Sequence, residues 1–104
     1  MGYWVYIVRC ADQTLYSGST TDLKRRLHEH NMGKGAKYTR SRTPVQLMRA
    51  WLVDSWSQAL RLEAGVKKCP RTFKEELIRD PQTVKVWAEQ MGYDFSIEVA
   101  KTED

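Results

Sequence analysis

The stretch YWVYIVRC, residues 3 to 10, constrains the fold more than any other part of the chain. Its β-branched and aromatic residues are apolar on both alternating faces, the pattern of a strand in the middle of a sheet that is covered on both sides. The polar ADQ that follows reads as a turn, and TLYSG as the return strand of a hairpin, ended by Gly18. Side-by-side strands bring Tyr6 and Tyr16 close together. The register depends on a loop length that the sequence leaves open, so contact between the rings stays open too.

After the hairpin, STTDLKRRLHEHN has the signals of a helix. Thr20, Thr21 or Asp22 can cap its first N–H groups, and Asn31 or Gly33 can close it in the left-handed conformation. Leu23 and Leu27 form the apolar stripe, and Arg26 and His30, also four apart, form the neighbouring one. MGKGAKYTRSRTP is a long, cationic, glycine-containing loop with one aromatic residue, Tyr38. VQLMRAWLV reads as a third strand, and Asp54 or Ser55 begins a second helix, SWSQ matching a capping box, whose run SQALRLEAGVKK places Glu63 and Lys67 one turn apart. Pro70 ends that helix and starts PRTFKEELIR, and Pro81 ends that one in turn. Residues 82–91 carry a further helical stripe, after which Phe95, Ile97 and Val99 alternate as an extended tail. At 104 residues the chain fits one domain without an internal boundary.

The longest apolar stretch, YWVYIV, is far below the roughly 20 residues that a membrane helix needs, so no membrane partner is expected and a cytoplasmic location is the default. Met1-Gly2 lacks the Ser or Thr at position six that myristoylation requires, having Tyr6. Cys10 and Cys69 stand apart, expected to be reduced and structural, which disfavours sulfur-based metal binding. The net charge is only +4, but from Lys24 to Arg49 eight basic residues face the single acid Glu29, a net of +7 that leaves −3 for the rest. This charge asymmetry predicts a basic face toward a polyanion, nucleic acid first, with a merely solvated face as the alternative.

Hydrolysis of a phosphodiester requires an aligned water that loses a proton, cations to meet charge at phosphorus, and a stabilised leaving oxygen. One carboxylate with waters can hold a single Mg²⁺, and Glu63 is the candidate. Arg26 suits a phosphate through its planar, permanently charged fork. His30 titrates near neutrality and can accept or relay a proton, while a tyrosine becomes a usable base only beside cations or a metal. Taken singly, each has a plainer reading. The tyrosines can pack in strands, Arg26 and His30 can lie on a solvated helix face, and Glu63 and Lys67 can form an exposed ion pair of about 0.2–0.5 kcal/mol.

WVYIV, then YSG about ten residues later, then STTDLKRRLHEHN, together resemble the GIY-YIG nuclease domain. Trp4-Val5-Tyr6 stands at the first triplet and Tyr16-Ser17-Gly18 at the second, so the tyrosines and Gly18 are kept while Trp4, Val5 and Ser17 depart from the pattern. HNMGKGAKYTRSRTPVQL and ALRLEAGVKK are similar to the small stand-alone bacterial, UPF0213-like members and to the nuclease subunit of structure-specific junction endonucleases. The resemblance spans residues 3 to about 79. It implies an α+β fold, a three-stranded antiparallel sheet flanked by helices, with residues 1–80 as the nuclease-like domain and 81–104 as an extension on or trailing it.

It also implies cleavage of DNA, of a repair or processing type, with one Mg²⁺ or Mn²⁺ ion. By position, Tyr6 and Tyr16 become the motif tyrosines, one helping to deprotonate water. Arg26 and His30 stand at the phosphate, Glu63 is the metal ligand and Lys67 a supporting lysine. Lys24, Arg25, Lys34, Lys37, Tyr38, Arg40 and Arg42 become candidate contacts to DNA, branched or single-stranded, bound weakly and through phosphates. The alternative is a non-catalytic nucleic-acid-binding or adaptor module that keeps the nuclease fold.

Overall fold

The computed structural model describes residues 2–101. Two antiparallel strands, β1 (Tyr3–Arg9) and β2 (Leu15–Thr20), precede helix α1 (Leu23–Asn31). A 3-10 turn at Lys37–Thr39 leads into β3 (Gln46–Val53), followed by α2 (Trp56–Lys68), α3 (Arg71–Arg79), α4 (Thr83–Gln90) and the two-residue β4 (Glu98–Val99). The fold is α+β. The strands run antiparallel in the order β2-β1-β3-β4, which puts the doubly apolar β1 inside the sheet.

Two expectations need correction. The sheet has four strands rather than three, because Glu98 and Val99 pair with Leu52 and Trp51 while neighbouring Ile97 is buried in the core. Gly18 does not end β2. It lies within the strand opposite Tyr6, where a Cβ would stand 2.5 Å from the Tyr6 hydroxyl, so glycine here makes room for a phenol rather than a turn.

The helix ends follow local chemistry. Asp22 caps α1 by accepting from the Arg25 N–H at 3.0 Å. At the other end Gly33 adopts φ +75°, and the N–H groups of Gly33 and Lys34 donate to the carbonyls of His30 and Glu29, which is a Schellman closure. Ser55 caps α2 by accepting from the Gln58 N–H, while the Gln58 side chain reaches back one residue further than a capping box does, to the Asp54 N–H.

The sheet separates two buried clusters. On one face Val5, Ile7, Trp51 and Val53 pack with Ala59, Leu62 and Val66 of α2, Leu77 of α3, Val84 and Ala88 of α4, and Ile97. Residues after position 80 therefore share this core. On the other face Tyr6, Val8, Cys10, Val45 and Ala50 pack with Leu23 and Leu27 of α1. No helix among the described residues is long and apolar enough to cross a membrane.

Candidate active site

In the hairpin register Tyr6 faces Gly18 and Val8 faces Tyr16. Tyr6 and Tyr16 thus share one face as diagonal neighbours, with ring centroids 6.5 Å apart. The α1 helix lays His30 edge-on against both rings, at 5.8 and 5.6 Å. The Tyr6 hydroxyl is hydrogen-bonded to His30 Nε2 at 2.8 Å, and His30 Nδ1 to Thr39 Oγ1 at 2.8 Å. The leucine stripe predicted His30 at the helix edge, yet Leu23 and Leu27 are half-buried and His30 is wholly buried. It therefore meets Tyr6 inside the core. A Cβ on Gly35 would overlap the His30 ring, so the loop closes over the imidazole only because residue 35 is glycine.

Burial, followed by the nearby charge of Arg26, holds the His30 pKa below its ordinary value, so the imidazole is neutral at pH 7. Burial pushes the Tyr6 phenol up to about 12, opposed by the nearby Arg26 guanidinium, whose charge favours the phenolate. For Arg26, the desolvation that opposes its charge is outweighed by Tyr6 and by Glu29, its ion-pair partner at 3.2 Å.

Tyr16 connects this buried group to the far side of the sheet. Its ring stacks on Tyr38, with centroids 6.0 Å apart and an 18° tilt, and Lys67 Nζ lies 5.5 Å from its centre. Because β2 is an edge strand, side chains of α2 reach round it. One Glu63 carboxylate oxygen accepts from Ser19 Oγ, and the other pairs with Lys67 Nζ at 2.7 Å. That hydrogen bond holds the Lys67 pKa above its ordinary value, so Lys67 stays charged. Tyr6, Tyr16, Arg26, His30, Lys67 and Glu63 thus form one contiguous cluster around the β2 edge.

Among the described residues no three His, Cys, Asp or Glu side chains gather into a metal cage. Glu63 is a lone hard-oxygen donor, partly open to solvent. This set fits a Mg²⁺ or Mn²⁺ ion that keeps waters and substrate oxygens in its shell, and fits no metal that demands a full set of protein ligands.

The predicted DNA contacts divide. Lys24, Arg25, Lys34, Lys37 and Arg40 are exposed, with Arg25 leaning toward Glu29 at 3.9 Å. Arg42 is already engaged. It pairs with Asp12 at 3.0 Å, donates to the Tyr38 carbonyl at 2.7 Å and covers the Tyr38 ring at 4.0 Å, bracing the loop. Sequence reasoning missed Ser19, Gly35 and Thr39. Ser19 could have been found by strand alternation, which puts it on the α2 side. Gly35 and Thr39 give no periodic signal, since their roles depend on how the loop folds back.

A model of the GIY-YIG catalytic domain matches residues 2–76, which ends before α4 and β4. The chain is similar to the UPF0213 protein of Natronomonas pharaonis, 49% identical over 78 residues that cover 75% of this chain and 92% of that protein. It is likewise similar to the UPF0213 protein of Halobacterium salinarum, 52% identical over 73 residues, 70% of this chain and 95% of that one. Among solved structures, the solution NMR structure of a UPF0213 protein from Bacillus halodurans is 46% identical with a TM-score of 0.50, covering 76% of this chain and 84% of that one. The solution NMR structure of a protein from E. faecalis is 38% identical with a TM-score of 0.53 over the same shares.

Proposed function

Since the chain belongs to the GIY-YIG catalytic-domain family, we propose that it is a metal-dependent phosphodiesterase that cuts DNA. The observation that carries this reading is the buried hydrogen bond between Tyr6 and a neutral His30 beside the Arg26 guanidinium. A phenol held at about 12 is protonated throughout the neutral range, so no phenolate waits for the substrate. Tyr6 acts as a base by relay: it takes a proton from the attacking water as its own passes to His30 Nε2, leaving an imidazolium. Arg26 stabilises the phenolic oxygen during the transfer and meets the charge that gathers on phosphorus. Tyr16, half-exposed between His30 and Lys67, lines the entry to this pair.

Glu63 would hold the Mg²⁺ or Mn²⁺ ion, which when bound supplies Lewis-acid charge at the phosphate and leaving oxygens. Lys67 must then leave the carboxylate oxygen it occupies. The exposed cations on α1 and the following loop engage backbone phosphates, so binding weakens steeply with salt.

One observation favours the rival reading of a non-catalytic nucleic-acid-binding or adaptor module: each Glu63 carboxylate oxygen already has a protein partner, Ser19 for one and Lys67 for the other. Cleavage separates the two. With Mg²⁺ or Mn²⁺ the purified protein is expected to nick branched or single-stranded DNA, and Glu63→Ala to reduce nicking to background while binding is nearly unchanged. Equal cutting by wild type and Glu63→Ala would remove the assignment of Glu63. DNA binding without cutting across substrate shapes would favour the adaptor.

A further inference from the structure

We propose that Thr39 is a positioning residue whose hydroxyl fixes His30 as the Nδ1–H tautomer, leaving Nε2 as the lone pair that receives the Tyr6 proton. The proposal rests on the reading of Tyr6 and His30 as a proton relay. It assigns that relay a support in the basic loop, which the sequence marks only as a nucleic-acid contact.

The hydrogen-bond geometry points to this tautomer. Thr39 Oγ1 lies 3.0 Å from the Ala36 carbonyl oxygen and 2.8 Å from His30 Nδ1. The Ala36 carbonyl, which can only accept and also takes the Thr39 N–H at 3.1 Å, lies in line for the Thr39 hydroxyl hydrogen, and a hydroxyl that donates there accepts from His30. In that arrangement Nδ1 carries the ring hydrogen. Nε2 then has a free lone pair 2.8 Å from the Tyr6 hydroxyl, which donates to it.

The Tyr6 side of the chain agrees. Arg26 lines the same small cavity as Tyr6. An Nε2–H would aim a donor at the Tyr6 oxygen and leave the phenol's own hydrogen seeking an acceptor in a buried place. Thr39 and His30 are wholly buried and Tyr6 is 2% exposed, so water has little access to replace a lost partner. The Lys37–Thr39 turn and Gly35, which lies against the ring, hold the loop so that Thr39 faces Nδ1. When His30 takes up the Tyr6 proton, both ring nitrogens become donors, and Thr39 and Tyr6 are already in place to accept from them.

The test is ring ¹⁵N NMR of His30 at neutral pH, without DNA or metal, in wild type, Thr39→Ser and Thr39→Val, alongside single-turnover cleavage. Wild type and Thr39→Ser are expected to show protonated Nδ1 and unprotonated Nε2, whereas Thr39→Val shifts toward Nε2–H. Cleavage is expected to fall about 10–100-fold in Thr39→Val, the scale for losing an imidazole's orienting partner, and to be largely retained in Thr39→Ser. An Nε2–H tautomer or an imidazolium in wild type overturns the proposal even if Thr39→Val fails to fold, as does an unchanged tautomer in a folded Thr39→Val. Absence of cleavage by wild type would instead overturn the nuclease reading, and the NMR result would still decide the tautomer.

Discussion

The sheet covers one face with α2, α3 and α4 and the other with α1 and the loop after it, and the two faces are held by different forces. Under α2 to α4 the buried side chains are apolar, and the Trp51 indole N–H donates to the Pro81 carbonyl at 3.0 Å. Under α1 the buried set includes Tyr6, His30 and Thr39, each satisfied by the next. The first face is stabilised by area removed from water, which many apolar side chains can supply. The second depends on direction: each polar group is tolerated because one particular neighbour accepts or donates, and removing that neighbour leaves an expensive orphan. On the proposed function, the packed face carries stability and the directional face carries the chemistry.

Truncation on the packed face is the most forceful way to test that division. Leu62→Ala is expected to lose about 2–5 kcal/mol in urea unfolding while the cleavage rate per folded molecule stays at the wild-type value. A large change in that rate would break the division.

The directional face is expected to respond to pH instead. The folded pKa of His30 lies below its unfolded value near 6.5, so between the two the unfolded chain binds more protons and stability rises with pH. The contribution is complete above about pH 6.5 and is lost as pH falls through the folded pKa. Urea midpoints measured from pH 7.5 down to 5, above the carboxylate range, should therefore decline. Cleavage should fall in the same direction, since a protonated His30 cannot accept from Tyr6. Flat profiles for both would contradict a buried neutral imidazole.

A smaller effect sharpens the comparison from its exception. Ser17 is buried opposite Ile7, on the apolar side, and its hydroxyl has no hydrogen-bond partner among the described residues. Ser17→Ala is expected to raise stability by about 1 kcal/mol without altering cleavage. A loss of activity would show that the hydroxyl has a partner in the working protein.

Much of the architecture was legible in the sequence because it rests on local signals. The doubly apolar run of β1, the caps at Asp22 and Ser55, the closure at Gly33 and the helical stripe around 82–91 depend on neighbours a few residues away. The rest depends on partners far along the chain. Gly18 resembles a strand breaker until Tyr6 is set opposite it. β4 is too short to announce itself, since its pairing comes from β3. Leu23 and Leu27 suggested the buried side of α1, but the Tyr6 hydroxyl gives His30 a reason to be deeper. Arg42 reads in the sequence as one more cation for DNA, and its pairing with Asp12, thirty residues earlier, gives no local signal. In the candidate site, the tyrosines, Arg26, His30 and Glu63 were marked by residue type and, with Lys67, by the family resemblance, while nothing local pointed to Thr39 or Gly35.

The central claim is that phosphodiester cleavage runs through the Tyr6–His30 pair, and single-turnover cleavage by Tyr6→Phe at saturating DNA and Mg²⁺ tests it most directly. The phenyl ring keeps the packing against Gly18 and Tyr16 but carries no proton. The rate is expected to fall by about 10²–10⁴-fold, with DNA affinity little changed. Cleavage by Tyr6→Phe at the wild-type rate would contradict the account.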